Sequence, residues 1–152
     1  MTAHNFSTAR RVGVIFPFFA DMNKIAALLK AVAAKHKLQL HTVIYFDDKL
    51  EMNVLSTERE IWFSDKACNW FGKPKMEDID NFIDERFDIL VDLSTKTYFS
   101  LQYITIMSKA DFKVGRFIEE SAPYDLVITG CDTEKCFMEQ LEFYLQKINT
   151  NK

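Results

Sequence analysis

Glycine is scarce in this sequence, with 4 copies in 152 residues. Loops that cradle phosphates with backbone N–H groups need several glycines close together, and neither a Walker A nor a GxGxxG pattern is present. HExxH and paired CxxC patterns are also absent. The sequence therefore excludes the glycine-rich phosphate loops, and it favours well-packed elements over long flexible loops.

Cysteine is nearly as rare, with 3 copies. An odd, sparse count is a poor disulfide framework and suits a reducing compartment, so we predict a cytoplasmic protein. Cys131 and Cys136 form a CxxxxC pair that lacks the third and fourth ligands of a closed zinc site. We therefore predict that both are small buried hydrophobic residues, and that the protein has no metal and no cofactor.

Positive charge is not clustered, and the net charge is −3. The sequence therefore does not predict the clustered basic surface that nucleic-acid binding requires. No segment approaches the ~20 apolar residues of a membrane helix. Residues 10–20 imitate a signal peptide, but Pro17 in the middle and a capped helix afterwards favour a buried strand. The partners predicted are a protein or a small anionic ligand, with no nucleic acid and no membrane.

The length is sufficient for one domain with a proper core. We predict a flexible tail over residues 1–9 and a single α/β domain over residues 10–150. Between residues 87 and 117 a dense apolar run, a polar turn, an apolar-periodic segment and a second short run follow one another. Strand, turn, helix and strand form the unit of a parallel sheet.

The whole pattern predicts an α/β three-layer sandwich with a mainly parallel sheet of about five strands and helices on both faces. The predicted strands lie near 12–18, 39–46, 88–93, 112–116 and 125–129, and residues 60–64 are a further candidate. Helices are predicted after Asp21, over 75–86, over 98–108 and from about 133 to 148. Residues 49–59 are predicted to be a loop with a short helix, and 119–123 a turn. Trp70 and Phe71 are interpreted as a plug over the sheet edge, with a ligand platform as the alternative.

Polar residues follow several predicted strands, and the carboxyl ends of parallel strands gather at one edge. The 94–97 turn offers hydroxyls, an ammonium group and the N–H groups of the next helix, so it is the best anion-site candidate. Its alternative is a capping turn with a solvated lysine. Asp92 lies inside an apolar strand, where an unpaired carboxylate is costly; it is either a functional carboxylate or an anchor for a loop. The ligand-binding candidates are Asp21, Asp92, Ser94, Thr95, Lys96 and Thr97.

No catalytic residue is predicted. None of His4, His36 and His41 lies near a serine or cysteine nucleophile in the predicted layout. The aspartates at the strand ends would bind Mg²⁺ if they converged, but capping and turn roles account for each of them separately. These aspartates are Asp21, Asp47, Asp48 and Asp132.

Several segments resemble a family of small bacterial proteins known only as a domain of unknown function. They are NWFGKPK at 69–75, FDILVDLS at 87–94, SKADFKVGRF at 108–117, YDLVI at 124–128 and FMEQLEFYLQKIN at 137–149. The resemblance implies a single α/β domain and no assigned activity. Segments 88–93 and 110–115 are also similar, more loosely, to the N-terminal half of heptosyltransferase-like glycosyltransferases, which mainly meets the acceptor.

Together these observations predict a non-catalytic cytoplasmic α/β domain that binds a protein partner or a small anionic ligand. The alternative is a divergent glycosyltransferase-like enzyme that acts on an anionic or sugar substrate at the carboxyl edge of the sheet.

Overall fold

A computed structural model describes residues 8–18, 21–47, 56–57, 59–116 and 123–147. Its strands are β1 (Arg11–Pro17), β2 (Gln39–Tyr45), β3 (Glu60–Phe63), β4 (Ile89–Asp92), β5 (Phe112–Gly115) and β6 (Leu126–Val127). Its α-helices are α1 (Met22–His36), α2 (Glu77–Asp84), α3 (Phe99–Met107) and α4 (Glu134–Gln146), and a short 3-10 helix spans Asp65–Ala67.

The strands form one sheet in the order β3-β2-β1-β4-β5-β6, and all of the neighbouring pairs are parallel. The order runs one way from β1 to β3 and reverses at the junction between β1 and β4. In this doubly wound arrangement, ligands bind outside the carboxyl ends of the strands at the point of reversal. The strand order thus predicts a ligand site near the carboxyl ends of β1 and β4.

Each face of the sheet carries its own apolar core. Residues of α1 and α4 pack with one set of strand residues, including Val91, while α2 and α3 pack with the other set, including Leu90. Because successive strand side chains alternate between faces, β4 supplies both cores, and its first three residues are all apolar. The three-layer α/β prediction is confirmed.

Local chemistry accounts for the helix that follows β1. The carboxylate of Asp21 accepts a hydrogen bond from the N–H of Lys24 at 3.2 Å, which caps α1 as the sequence predicts. At the other end, Lys37 adopts the left-handed conformation, and its N–H donates to the carbonyl of Ala33. The carboxylate of Glu142 on α4 bonds to His36 and Lys35 and joins the two helices on this face.

The structure adds a sixth strand, because residues 60–63 pair in parallel with β2 at the edge of the sheet. It also extends the packed chain backward, since Ala9, which the prediction assigns to the tail, is fully buried. Residues 1–7 of that tail lie outside the described residues. So do most of the predicted loop with a short helix at 49–59, most of the predicted turn at 119–123, and the predicted helix end at residue 148.

The prediction for Cys131 and Cys136 is wrong. A disulfide joins them, with their Cα atoms 5.5 Å apart, and both side chains are partly exposed. The passage from β6 into the first turn of α4 brings the two residues within the usual disulfide range. Sequence spacing alone could not show this turn.

Among the described residues, no helix has both the length and the apolar content needed to cross a bilayer.

Candidate functional site

The candidate site lies at the carboxyl end of β4, on the face of the sheet that α3 covers. A small cavity of about 10 Å³ opens there, which is room for a single water-sized group. It is lined by Asp92, Ser94, Lys96, Thr97, Tyr98, Leu101, Gln102, Pro123 and Tyr124.

Asp92 is the ionisable group at the centre of this cavity and is only 2% exposed. One carboxylate oxygen accepts from the hydroxyl of Tyr124 at 2.6 Å, and the other accepts from the N–H of Ser94 at 2.9 Å. Burial raises the pKa of Asp92 above its ordinary value, while the contacts with Ser94 and Tyr124 oppose that increase. Asp92 is therefore held in place by two hydrogen bonds, in surroundings that favour its protonated form.

The Ser94 hydroxyl is the least satisfied group in the cavity. Its side chain is 2% exposed, and although it lies beside the Asp92 carboxylate, its oxygen has no partner in hydrogen-bonding geometry among the described residues. Leaving a buried polar group without a partner costs about 1–3 kcal/mol. A ligand atom that enters the cavity would relieve this cost.

Tyr124 was missed by sequence reasoning. It precedes β6, and its ring fits beside β5 because Gly115 has no side chain there: a Cβ at Gly115 would lie 2.5 Å from the ring. A glycine that ends a buried strand was the available signal, since such a glycine often marks the close approach of another group. Only the packing of β6 against β5 identifies that group as a tyrosine.

Lys96 supplies the positive charge at the mouth of the cavity. Its side chain is exposed, and its ammonium nitrogen lies 5.3 Å from the centre of the Tyr98 ring. Tyr98 is the N-cap residue of α3, and no side chain caps this helix. The partial positive charge of an uncapped helix start and the ammonium group of Lys96 both favour an anion here.

The structure gathers four of the six predicted ligand-binding residues in this cavity: Asp92, Ser94, Lys96 and Thr97. Thr95 is exposed and is not among the lining residues. Asp21 lies elsewhere, in a groove of about 810 Å³ between the starts of α1 and α4.

The remaining strand-end aspartates do not join the cavity. Asp47 and Asp132 are exposed, and Asp48 lies outside the described residues. Within the described part of the chain, no group of three His, Cys, Asp or Glu side chains is placed to hold a metal ion.

A second cation at this edge, Arg116, was also missed. It is buried at the end of β5, where its guanidinium donates to Glu134 at 2.6 Å and to the carbonyls of Cys131 at 3.1 Å and Leu93 at 3.4 Å. The central carbon of the guanidinium group, Cζ, lies 5.6 Å from the centre of the Phe137 ring. With these partners Arg116 links α4 to the sheet, and its guanidinium is engaged by protein groups rather than available to a ligand.

The raised pKa of Asp92 gives a testable pH dependence. Between the ordinary pKa of the unfolded chain and the higher folded pKa, only the folded protein keeps the proton, so the free energy of unfolding should fall as pH rises. Asp92→Asn should remove this part of the decline, because the amide does not titrate. Urea unfolding followed by circular dichroism from pH 4 to pH 8 measures the effect.

Tyr124→Phe is the matched variant for this test. It removes a hydrogen bond that lowers the pKa of Asp92 in the folded protein, so the decline should start at the same pH and extend to higher pH. If the free energy of unfolding of Asp92→Asn fell with pH as steeply as that of the wild type, Asp92 would not be the group responsible.

Comparison with known families connects the chain to one of them. The model of a family of unknown function, DUF6913, matches residues 1–148. No curated protein and no solved structure matches the chain. The resemblance to a domain family of unknown function is confirmed.

Proposed function

We propose that this chain, which belongs to the DUF6913 family of unknown function, binds a small anionic ligand at the carboxyl end of β4. The observation that carries the proposal is the Ser94 hydroxyl, which is buried, lines the cavity and has no hydrogen-bonding partner in the described residues. A ligand oxygen would supply that partner.

The size of the cavity limits how such a ligand is held. Only one ligand atom enters the space beside Ser94, and the rest of the anion lies at the mouth, over the first turn of α3. There the N–H groups at the helix start and the ammonium group of Lys96 face the negative charge. A phosphate fits this arrangement, because one of its oxygens can point inward while the others meet the helix and the lysine.

Lys96→Ala should weaken phosphate binding, because it removes the cation at the mouth. Lys30→Ala is the matched control, since Lys30 is an exposed lysine on α1, on the opposite face of the sheet. Titration of inorganic phosphate, UDP and ADP, followed by calorimetry and by backbone NMR shifts, measures both variants. Binding by the wild type should also weaken as salt rises, because the attraction is partly screened.

Ser94→Ala tests the buried hydroxyl separately from the charge. It should weaken phosphate binding while leaving the salt dependence in place, because Lys96 is still present. An absence of NMR shifts at residues 94–97 with millimolar phosphate, UDP or ADP would contradict the proposed site.

An enzymatic role at the same place is the second candidate, and Asp92 favours it. Carboxylates with a raised pKa in a cavity are typical of general acids and bases. In this role the deprotonated form of Asp92 would take the proton of an acceptor hydroxyl, whose oxygen bonds to the anomeric carbon of the sugar as the bond from that carbon to UDP breaks. Release of UDP from a UDP-sugar, abolished by Asp92→Asn, would support the enzyme; binding without turnover supports the non-catalytic domain.

The cytoplasm is the compartment that we propose, on the sparse cysteine content. The Cys131–Cys136 disulfide is the observation that opposes it. Alkylation of thiols in intact cells, followed by mass spectrometry, decides between them. Labelling of all 3 cysteines supports a reducing compartment, and protection of Cys131 and Cys136 contradicts it.

A further inference from the structure

Trp70 and Phe71 are adjacent in the sequence and both are exposed, and we call these two residues the aromatic tip. Trp70 is 93% exposed and Phe71 is 78% exposed. This corrects the interpretation of the pair as a plug over the sheet edge, because neither ring is covered. Large aromatic side chains left in water are a feature of binding surfaces.

The backbone that carries the aromatic tip is fixed by hydrogen bonds. The side-chain oxygen of Asn69 accepts from the N–H groups of Phe71 at 3.0 Å and Lys73 at 2.9 Å. The N–H of Gly72 donates to the Asn69 carbonyl at 2.9 Å, and Gly72 has a φ of +84°, which favours glycine. A turn that is already ordered loses little conformational entropy when a ligand binds it.

The same turn stands against the start of α3. A Cβ on Gly72 would lie 2.8 Å from the ring of Phe99, the first residue of that helix. One helical turn further on, the ammonium nitrogen of Lys73 lies 5.6 Å from the centre of the Tyr103 ring. Because Trp70 is two residues from Gly72, its Cα lies within roughly 7 Å of the Gly72 Cα. The turn that carries the aromatic tip therefore contacts the first residue of α3, the helix whose start borders the anion site.

We propose that the ligand is a nucleotide, whose phosphate lies at the start of α3 and whose base stacks on the aromatic tip. This inference rests on the proposed function, because it takes the anion site as the place of the phosphate. A planar ring joined to a phosphate is the ligand chemistry that uses both features. Stacking on an aromatic side chain accepts any base and needs no glycine-rich loop.

The test compares ADP with ribose 5-diphosphate, which carries the same diphosphate but no base. By calorimetry, the full chain should bind ADP more tightly by roughly 5- to 150-fold, the range expected for stacking of one base. Trp70→Ala and Phe71→Ala are measured separately, and at least one of them should remove most of the difference. Both side chains are exposed, so neither substitution should disturb folding.

Phe143→Ala is the control, because Phe143 is an exposed aromatic residue on α4, on the opposite face of the sheet. It should keep the full preference for ADP. If the wild type bound ADP and ribose 5-diphosphate equally, or if neither tip substitution reduced the preference, the nucleotide inference would be overturned while the anion site survived. If neither compound bound and residues 94–97 showed no NMR shifts, the proposed function would fail together with the inference.

Discussion

Arg116→Met should lower the free energy of unfolding by about 3–5 kcal/mol, the usual cost of breaking a buried ion pair by removing one partner. The Arg116 side chain is 3% exposed and that of Glu134 is 22% exposed. Removal of the guanidinium leaves the Glu134 carboxylate without its cation and removes the donor to the carbonyls of Leu93 and Cys131. Urea unfolding followed by circular dichroism measures the loss.

Arg86→Met provides the comparison for this prediction. Arg86 also bonds to a carboxylate, that of Asp111 at 3.0 Å, but its side chain is 77% exposed. An exposed pair of this kind is worth about 0–1 kcal/mol. If Arg116→Met and Arg86→Met lowered the free energy of unfolding equally, burial would not strengthen the ion pair of Arg116.

The double variant Arg116→Met with Glu134→Gln distinguishes the sources of the cost. If the unpaired carboxylate accounts for much of it, the double variant should be more stable than Arg116→Met alone. A double variant that is less stable by the full sum of both single losses would show that the pair does not act as a unit.

Leu90→Ala should lower the free energy of unfolding by about 2–5 kcal/mol, which is the range for a large-to-small change in a core. Leu90 has no exposed surface, and β4 lies in the interior of the sheet, between β1 and β5. The lost methyl groups face the core formed with α2 and α3, where the surrounding rings cannot close the space completely. The midpoint in urea should fall with little change in slope.

Leu28→Ala is the matched control, because Leu28 is a partly exposed leucine on α1 at the edge of the large groove. Leu28 buries less apolar area than Leu90, so Leu28→Ala should lower the free energy of unfolding by less than Leu90→Ala. An unchanged midpoint for Leu90→Ala would contradict the central position of β4.

The sequence by itself determined the secondary elements and the class of fold. The apolar run of Ile89, Leu90 and Val91 is typical of a strand covered on both faces, and Asp21 caps α1 because its carboxylate accepts from the N–H of Lys24. The turn after β4 was also predictable as a polar segment before a helix. These features depend on residues close together in the chain, so local chemistry decides them.

The tertiary structure alone decided which polar residues meet. Strand order reverses between β1 and β4, so the chain after β1 leads to α1 on one face and the chain after β4 leads to α3 on the other. This separates Asp21 from Ser94 although both follow neighbouring strands.

The same packing brings Tyr124 to Asp92 across 32 residues. No periodicity or spacing encodes such a contact, because it depends on how separate elements lie side by side. The sequence could therefore locate the candidate anion site at the end of β4, while the packing buried its hydroxyl and supplied its tyrosine.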